Sequence, residues 1–509
     1  VDPDNENRLY SLYSRVNVSE DGGKNFRMLV GGNIHSDHHA WWIHPQDPSF
    51  MIDGNDGGLA ITYDMGENWR HVTNLPVSQF YHIRADNEIP YNVYGGMQDN
   101  GSWQGLGYTW RRGGIINEYW EFLMGGDGFD VVPVPGAPQL CYAMSQQGYV
   151  RRVNLETGDM TDIRPAHPEG EELRFHWNAA IEQDPFDDNT LYFGSQYVHR
   201  STDRGDSWEI ISPDLTTNDS TRQKYSESGG LTYDVTGAEN YTTILTIDPS
   251  PVEKDVIWVG TDDGQVQVTR DGGATWTNVT GNVKGMPENA WIPQVKPSAY
   301  NKGEAFLVVN NYRQNDYDPY LFHTKNYGKS WKQVIGEGDV WGYMLSFVQD
   351  PVVPELMFAG TEFGLYVSIN GGADWTQWRK GYPTVSTMDM VIQEREADLV
   401  IGTFGRSAYV IDDIRPLRAW AKLGDAFTEK PVRIFQVPDA YMVSRKNAPG
   451  YYFHGDAVFM GEDRATAARI TCFVHPAEEK NTDTLEIDIK DASGEVIRTL
   501  STVPERGLN

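Results

Sequence analysis

One eight-residue turn, present six times, constrains this chain more than any other feature. It reads Ser201-Thr202-Asp203-Arg204-Gly205-Asp206-Ser207-Trp208, and the pattern Ser/Thr-x-Asp/Asn-x-Gly-x-x-aromatic recurs at Ser19 to Phe26, Thr62 to Trp69, Thr269 to Trp276, Thr324 to Trp331 and Ser368 to Trp375. Each position has a mechanical role. The hydroxyl and the Asp or Asn side chain hydrogen-bond backbone N–H groups inside the turn, and glycine supplies the positive φ of a tight hairpin. The aromatic residue opens the next strand and buries a large apolar area. Turn chemistry accounts for every residue of the motif, so the chemistry of a site is to be sought elsewhere.

The turn ends a longer unit. Ile43-His44-Pro45-Gln46-Asp47-Pro48, Phe50 to Gly54, Gly58 to Asp64 and Trp69 to Val72 read as four short strands separated by turn signals, a four-stranded antiparallel blade. The Asp/Asn positions of the six turns are separated by 43, 139, 68, 55 and 44 residues. A period of about 45 is the signature of a β-propeller. The long interval has room for two blades without the turn, and two are legible, one from Tyr81 through Gly96 and one from Gly128 to Val153. The interval of 68 predicts a surface loop near Ser212 to Asn240. Met388 to Asp413 keeps three strands and reads as a closing blade, completed by a strand from elsewhere in the chain.

The fold expected is therefore all-β. Residues 1–75 are assigned to the last blades of an upstream propeller and 76–417 to a complete seven-bladed one, with one larger ring as the alternative. A linker follows at 418–430, and 431–509 reads as an immunoglobulin-like β-sandwich, with strands at Val432 to Val437, Arg469 to His475, Thr484 to Ile489 and Val496 to Leu500. The first residues, Val1-Asp2-Pro3-Asp4, read as the middle of a repeat and the last as an unfinished sandwich. A longer secreted precursor is the expectation.

With 72 acidic against 42 basic residues the formal charge is −30, which lacks the basic footprint of nucleic-acid or anionic-membrane binding. It fits a secreted or periplasmic protein, a salt-adapted one, or one holding Ca2+ as a structural ion; no other cofactor is expected. No stretch reaches membrane-spanning length. Cys141 and Cys472 read as two separate buried thiols.

Ligands of propellers sit over the channel, on loops at the blade end opposite the recurrent turn. Those loops carry Gln98, Asn100, Trp120, Trp177, Tyr197, Tyr241, Trp291, Trp341 and Arg406 as candidate ligand contacts, with Gln146-Gln147, Asn311-Tyr312-Arg313 and Tyr343 in the same series. Rings stack on pyranose faces and amides match hydroxyls, and the same mixture suits a protein partner. Hydrolysis of a glycosidic bond needs two carboxylates about 5–9 Å apart. Asp56, Asp99 and Asp127 are the candidates, although Gln-Asp-Asn-Gly and Gly-Gly-Asp-Gly are also good tight turns. His35, Asp37 and His38 are weak metal candidates, because neighbours on a strand point to opposite faces. Arg84, Arg174, Arg313 and Arg406 are scattered and lack the motifs of sialidases.

The recurrent turn resembles the Asp-box, or BNR repeat, and residues 1–420 resemble secreted bacterial Asp-box propeller proteins grouped with sortilin-type receptors and labelled glycosyl hydrolases. The stretches that carry this are His35-Ser36-Asp37-His38-His39-Ala40, Gly54-Asn55-Asp56-Gly57-Gly58, Gly95 to Ser102 and Gly125-Gly126-Asp127-Gly128. The resemblance implies a secreted, periplasmic or cell-surface protein, with the turn as a structural staple away from the ligand face. Three readings follow. One is a protein that binds a glycan, peptide or partner protein on its channel face. The second is a polysaccharide hydrolase of the tandem-propeller type, and the third a structural subunit of a cell-surface complex. None involves nucleic acid or insertion into a membrane.

Overall fold

The computed structural model describes residues 1–29, 34–223, 240–449, 455–475 and 484–509. All six recurrent turns have one hydrogen-bond pattern. The Ser/Thr oxygen accepts from the glycine N–H four residues on, at 2.7 Å for Ser201 and 3.1 Å for Thr324, and the Asp/Asn side chain accepts from the N–H four residues beyond itself. The hydrogen bonds of Asn25 and Ser19 hold the Asp21 carboxyl down to about 2, and those of Ser207 and Ser201 do the same for Asp203.

The turn also joins sheets. Trp208 and Trp276 donate their indole N–H to the carbonyls of Ile163 and Ile211, each just past the outer strand of the preceding sheet. Gly273 has φ 98°, and a Cβ there would lie 2.5 Å from the Ile211 carbonyl oxygen. Glycine is needed both for the turn and for this close approach.

Among the described residues nine antiparallel sheets follow one another along the chain, most of them four-stranded with strands in sequence order. The first two, Leu9–Leu12 to Arg27–Met28 and His38–Ile43 to Arg70–His71, share a core of Val16, Val18, Met51, Ala60 and Trp69. The next seven begin with the strands Phe80–Ala85, Gly128–Pro133, Ile181–Gln183, Ile244–Pro249, Trp291–Pro297, Met344–Gln349 and Ser386–Gln393. Three of these seven lack the recurrent turn: those starting at Phe80 and Gly128, which fill the long interval, and the last, starting at Ser386. Their apolar clusters are shared between neighbours. Phe129, Tyr142 and Phe193 form one, Trp258, Leu307 and Phe322 another.

The seventh of these sheets is hydrogen-bonded to the first. Gly405 N–H donates to the Ser78 carbonyl at 2.9 Å, Gln79 bridges Phe404, and Gln393 Nε2 donates to the Asp86 carbonyl at 3.0 Å. Midway, the Asp389 carboxylate accepts from His82 (3.3 Å), Ile83 N–H (3.1 Å), Gln294 Nε2 (3.0 Å) and Met390 N–H (2.9 Å). Val400 packs into the cluster of Ile83, Tyr91 and Val93.

Three expectations meet a different structure. Among the described residues, Ser386–Gln393, Asp398–Phe404 and Ala408–Ile411 form a three-stranded sheet with no fourth strand supplied from elsewhere. The stretch read as a linker is instead a helix, Arg415–Leu423, continued by the 3-10 turn Gly424–Glu429. Pro416 sets its first turn, Leu417 and Ala421 face the core one turn apart, and Arg418 Nε donates to the buried Asp350 at 2.8 Å. In place of two facing sheets, the last segment shows a three-stranded sheet, Val432–Ile434, Cys472–Val474 and Gly507–Leu508, and a largely exposed hairpin, Leu485–Lys490 with Val496–Thr502. Between them the chain runs back to pair Lys446 with Arg111 and Gly461 with Ile115, and Arg464 is ion-paired to Asp398, Asp412 and Glu396. Cys141 and Cys472 are both free and buried, as expected. The loop expected near Ser212 to Asn240 lies largely outside the described residues.

Replacing Asp389 by Ala leaves four donors in the interior without their acceptor. Removing one partner of a buried ion pair costs about 3–5 kcal/mol, so the urea midpoint of Asp389→Ala falls well below wild type. An unchanged midpoint would show that this contact does not hold the first and seventh sheets together.

Candidate functional site

In an antiparallel sheet with strands in sequence order, the hairpin between the second and third strands lies at the end opposite the recurrent turn. Asp56 and Asp99 sit on such hairpins. Asn55 caps the first by accepting from Gly57 N–H at 2.9 Å. Asp99 takes the left-handed conformation, φ 61°, at the tip of Gln98-Asp99-Asn100-Gly101. Asp127 directly precedes the strand Gly128–Pro133. A Cβ on Gly128 would lie 2.3 Å from the Gly101 carbonyl oxygen, so glycine lets the two turns touch. The motifs are tight turns, and they bring Asp99 beside Asp127 and Asp56.

Asp127 accepts from the Asp99 N–H and from the Trp177 indole N–H, each at 2.9 Å, and its own N–H donates to Gln146 Oε1 at 3.0 Å. The Asp56 carboxyl pairs with exposed His39 at 3.1 Å, while its carbonyl accepts from Asn100 Nδ2 at 2.9 Å. The Asp99 carboxyl is hydrogen-bonded to both Asp127 and Asp56. Burial, then the charges of Asp56 and Asp127, push Asp99 up to about 7. It therefore holds a proton near neutrality, between two groups able to accept it. Glycosidase carboxylates stand about 5–5.5 Å apart in retaining enzymes and about 6.5–9.5 Å in inverting ones.

Aromatic residues surround these acids. Tyr81 donates to Gln98 Oε1 at 3.0 Å. Trp177 follows His176, whose ring meets Trp291 edge-on at 5.0 Å, and burial lowers His176 to about 3, so it is neutral. Arg313 lies over Trp291 and Tyr312, and Tyr312 stacks on Tyr343 at 4.5 Å.

Of the residues singled out from sequence, Asp56, Asp99, Asp127, Gln98, Asn100, Trp177 and Trp291 come together here, with Gln146, Tyr312, Arg313 and Tyr343 beside them. The other candidate ligand and metal contacts do not join them. Trp120 packs with Phe80 inside its own sheet, and Tyr197 bonds Glu171. Tyr241 is buried beside Arg222, Trp341 stacks on Phe363, and Arg406 is exposed against the Gly405 carbonyl. His38 is buried and bonded to Asp53 at 2.8 Å, whereas His35 bonds the Ser36 carbonyl and Asp37 accepts from the Ser36 hydroxyl. Among the described residues no group of three or more His, Cys, Asp or Glu side chains has the geometry to hold a metal ion.

Sequence reasoning missed the interior beneath this site. The first strands of all seven sheets from Phe80 onward line one cavity of about 230 Å³. Arg84 is ion-paired to Asp130 and Glu182, both at 2.7 Å, and Lys296 to Asp248 at 3.1 Å. Burial alone would lower His82, but Asp389 and Asp130 more than offset it, and its pKa is raised. The signal was present as His82 and Arg84, or Gln294 and Lys296, two residues apart on otherwise apolar strands.

No protein-family model and no curated protein matches the chain. Among solved structures, the extracellular domain of a protein described as a hybrid two component system from B. thetaiotaomicron matches 66% of this chain at 14% identity and a TM-score of 0.43. The match spans only 39% of that domain's length. The GH74 enzyme of Niastella koreensis matches over 81% of this chain and 76% of its own, at 12% identity and a TM-score of 0.27. The computationally designed Ika8 protein matches over 72% and 93%, at 10% identity and a TM-score of 0.39. Among the described residues no helix is long and apolar enough to cross a membrane.

An Asp that titrates near 7 when folded, against an ordinary 3.8, gives stability a distinct pH dependence. Between those values the folded chain keeps a proton the unfolded chain has lost, so stability falls as pH rises through the window. Asp99→Asn should melt with wild type below pH ~4 and increasingly above it as pH approaches ~7. A constant difference across that range would contradict the shared proton.

Proposed function

We propose that residues 76–417 close into a seven-bladed β-propeller, that residues 1–75 are blades of a second propeller unit resting against it, and that their junction recognises a glycan outside the cytoplasm. Two observations support the ring: the edge contacts between its first and last sheets, and the single cavity lined from all seven. The observation that carries the recognition reading is the convergence of Asp56 from one unit with Asp99, Asp127, Tyr81 and Trp177 from the other. Carboxyls and the Gln98 and Asn100 amides match sugar hydroxyls, and the half-buried Trp177 ring offers a stacking face. The Asp-box resemblance of the six turns motivates the secreted location.

A second reading, hydrolysis, is favoured by the proton held on Asp99. In it Asp99 gives that proton to the glycosidic oxygen as the C–O bond breaks, and a neighbouring carboxylate, Asp56 or Asp127, activates the water that adds to the anomeric carbon. This requires Asp99 and its partner to stand at glycosidase spacing when a sugar is bound.

Glycan-array binding and reducing-sugar release, measured on the same preparation, separate the two. Recognition predicts retained glycans whose affinity drops about tenfold, some 1.4 kcal/mol, in Trp177→Ala. Hydrolysis predicts sugar release that Asp99→Asn abolishes while binding persists. Retention of glycans unaffected by Trp177→Ala would move recognition away from this site.

A further inference from the structure

Arg313 is the least explained group on this rim. It sits in the 3-10 turn Tyr312–Gln314, directly after the strand Ala305–Asn311 and therefore at the same end of its sheet as the Asp99 hairpin. Its guanidinium centre lies 3.2 Å from the Trp291 ring centroid and 4.4 Å from that of Tyr312. Trp291 is braced by His176, and Tyr312 by Tyr343. Stacking on rings uses the flat face of a guanidinium and does not use up the N–H donors along its edges.

Among the described residues nothing hydrogen-bonds to those edges and no carboxylate pairs with them, in a chain carrying 72 acidic residues against 42 basic ones. Nearby arginines are committed: Arg84 to Asp130 and Glu182, Arg174 to Asp214. The adjacent His176 is neutral, partly because the Arg313 charge acts on it, so it does not compete for an anion. Tyr81, hydrogen-bonded to Gln98, feels both this cation and the acids. Burial raises its phenol first, Asp127 and Asp99 raise it further, and Arg313 opposes them. The rim thus has a basic pole at Arg313 and an acidic pole at Asp99 and Asp127, both acting on one tyrosine.

We infer that the site takes a glycan bearing an anionic group, a uronate or sulfate ester, whose charge is bound by the Arg313 edge while the neighbouring sugar lies over Asp99 and Asp127. The inference rests on the glycan reading above. Two poles orient the ligand, since an anion at the carboxyl end is repelled. The formal charge of −30 disfavours a polymer charged at every residue, so the fitting ligand carries spaced charges. At 0.15 M salt, with a screening length of about 8 Å, the local contact dominates.

The test is calorimetric titration of the whole chain in 0.15 M NaCl with acidic oligosaccharides. Each uronate is paired with its carboxyl-reduced counterpart and each sulfated sugar with its desulfated one. At least one acidic member should bind about tenfold tighter than its neutral partner, and the member that does so identifies carboxylate or sulfate. Arg313→Gln should erase that difference while leaving the neutral sugar's affinity and the melting temperature unchanged. Arg313→Lys should restore only part of it, because the planar fork is lost. Equal binding of acidic and neutral members by wild type would overturn the anionic assignment and leave the glycan reading standing. Binding of no oligosaccharide would overturn both. Arg313-dependent capture of peptides through a free C-terminal carboxylate, in place of any sugar, would also overturn the assignment.

Discussion

The carboxylate of Asp389 joins parts of the chain some 300 residues apart. It accepts from His82 and the Ile83 N–H of the first of seven consecutive sheets and from Gln294 of the fifth, while standing on the seventh. Burial would raise its pKa, but the His82 hydrogen bond and charge outweigh that and lower it, so the group is held as an anion in the interior. Around it the other buried charges are matched: Arg84 with two acids, Lys296 with Asp248. Each pair satisfies the next, so a strand displaced from the cavity wall would leave an unpaired charge behind.

Two jobs are separated along the sheets that carry the recurrent turn. The end after the third strand holds that turn, where a hydroxyl, a carboxylate or amide, and a glycine close the hairpin, and at Trp208 and Trp276 the indole clamps the preceding sheet. The opposite end is free of that work. There the turns around Asp56, Asp99 and Asp127 set the Asp99 carboxyl beside two other acids, which with burial raises its pKa. In the proposed function the rigid sheets fix those groups, and the sugar meets them without a change of scaffold.

What the sequence made legible was local. Hydrogen bonds within the recurrent turn span four residues, so the motif could be read at sight, and its spacing located two sheets that lack it. The candidate acids were visible as Asp in glycine-rich turns at the right end of the strands. Their contact was not, because Asp56 lies more than forty residues before Asp99 and nothing local reports that distance. The charged cavity wall escaped for the same reason. So did the helix Arg415–Leu423, whose short amphipathic pattern lies beyond the last repeat, where Arg418 finds Asp350 only in three dimensions. The pairing of Arg464 with Glu396, Asp398 and Asp412 is likewise legible only in three dimensions.

The account turns on the proton that Asp99 holds beside Asp56 and Asp127. The most direct measurement is a 13C NMR titration of aspartate side-chain carboxyls, with Asp99 assigned by comparison with Asp99→Asn. The account predicts an Asp99 midpoint near 7, moving toward the ordinary carboxylate range in Asp56→Asn. A midpoint close to 3.8, indifferent to Asp56, would contradict it.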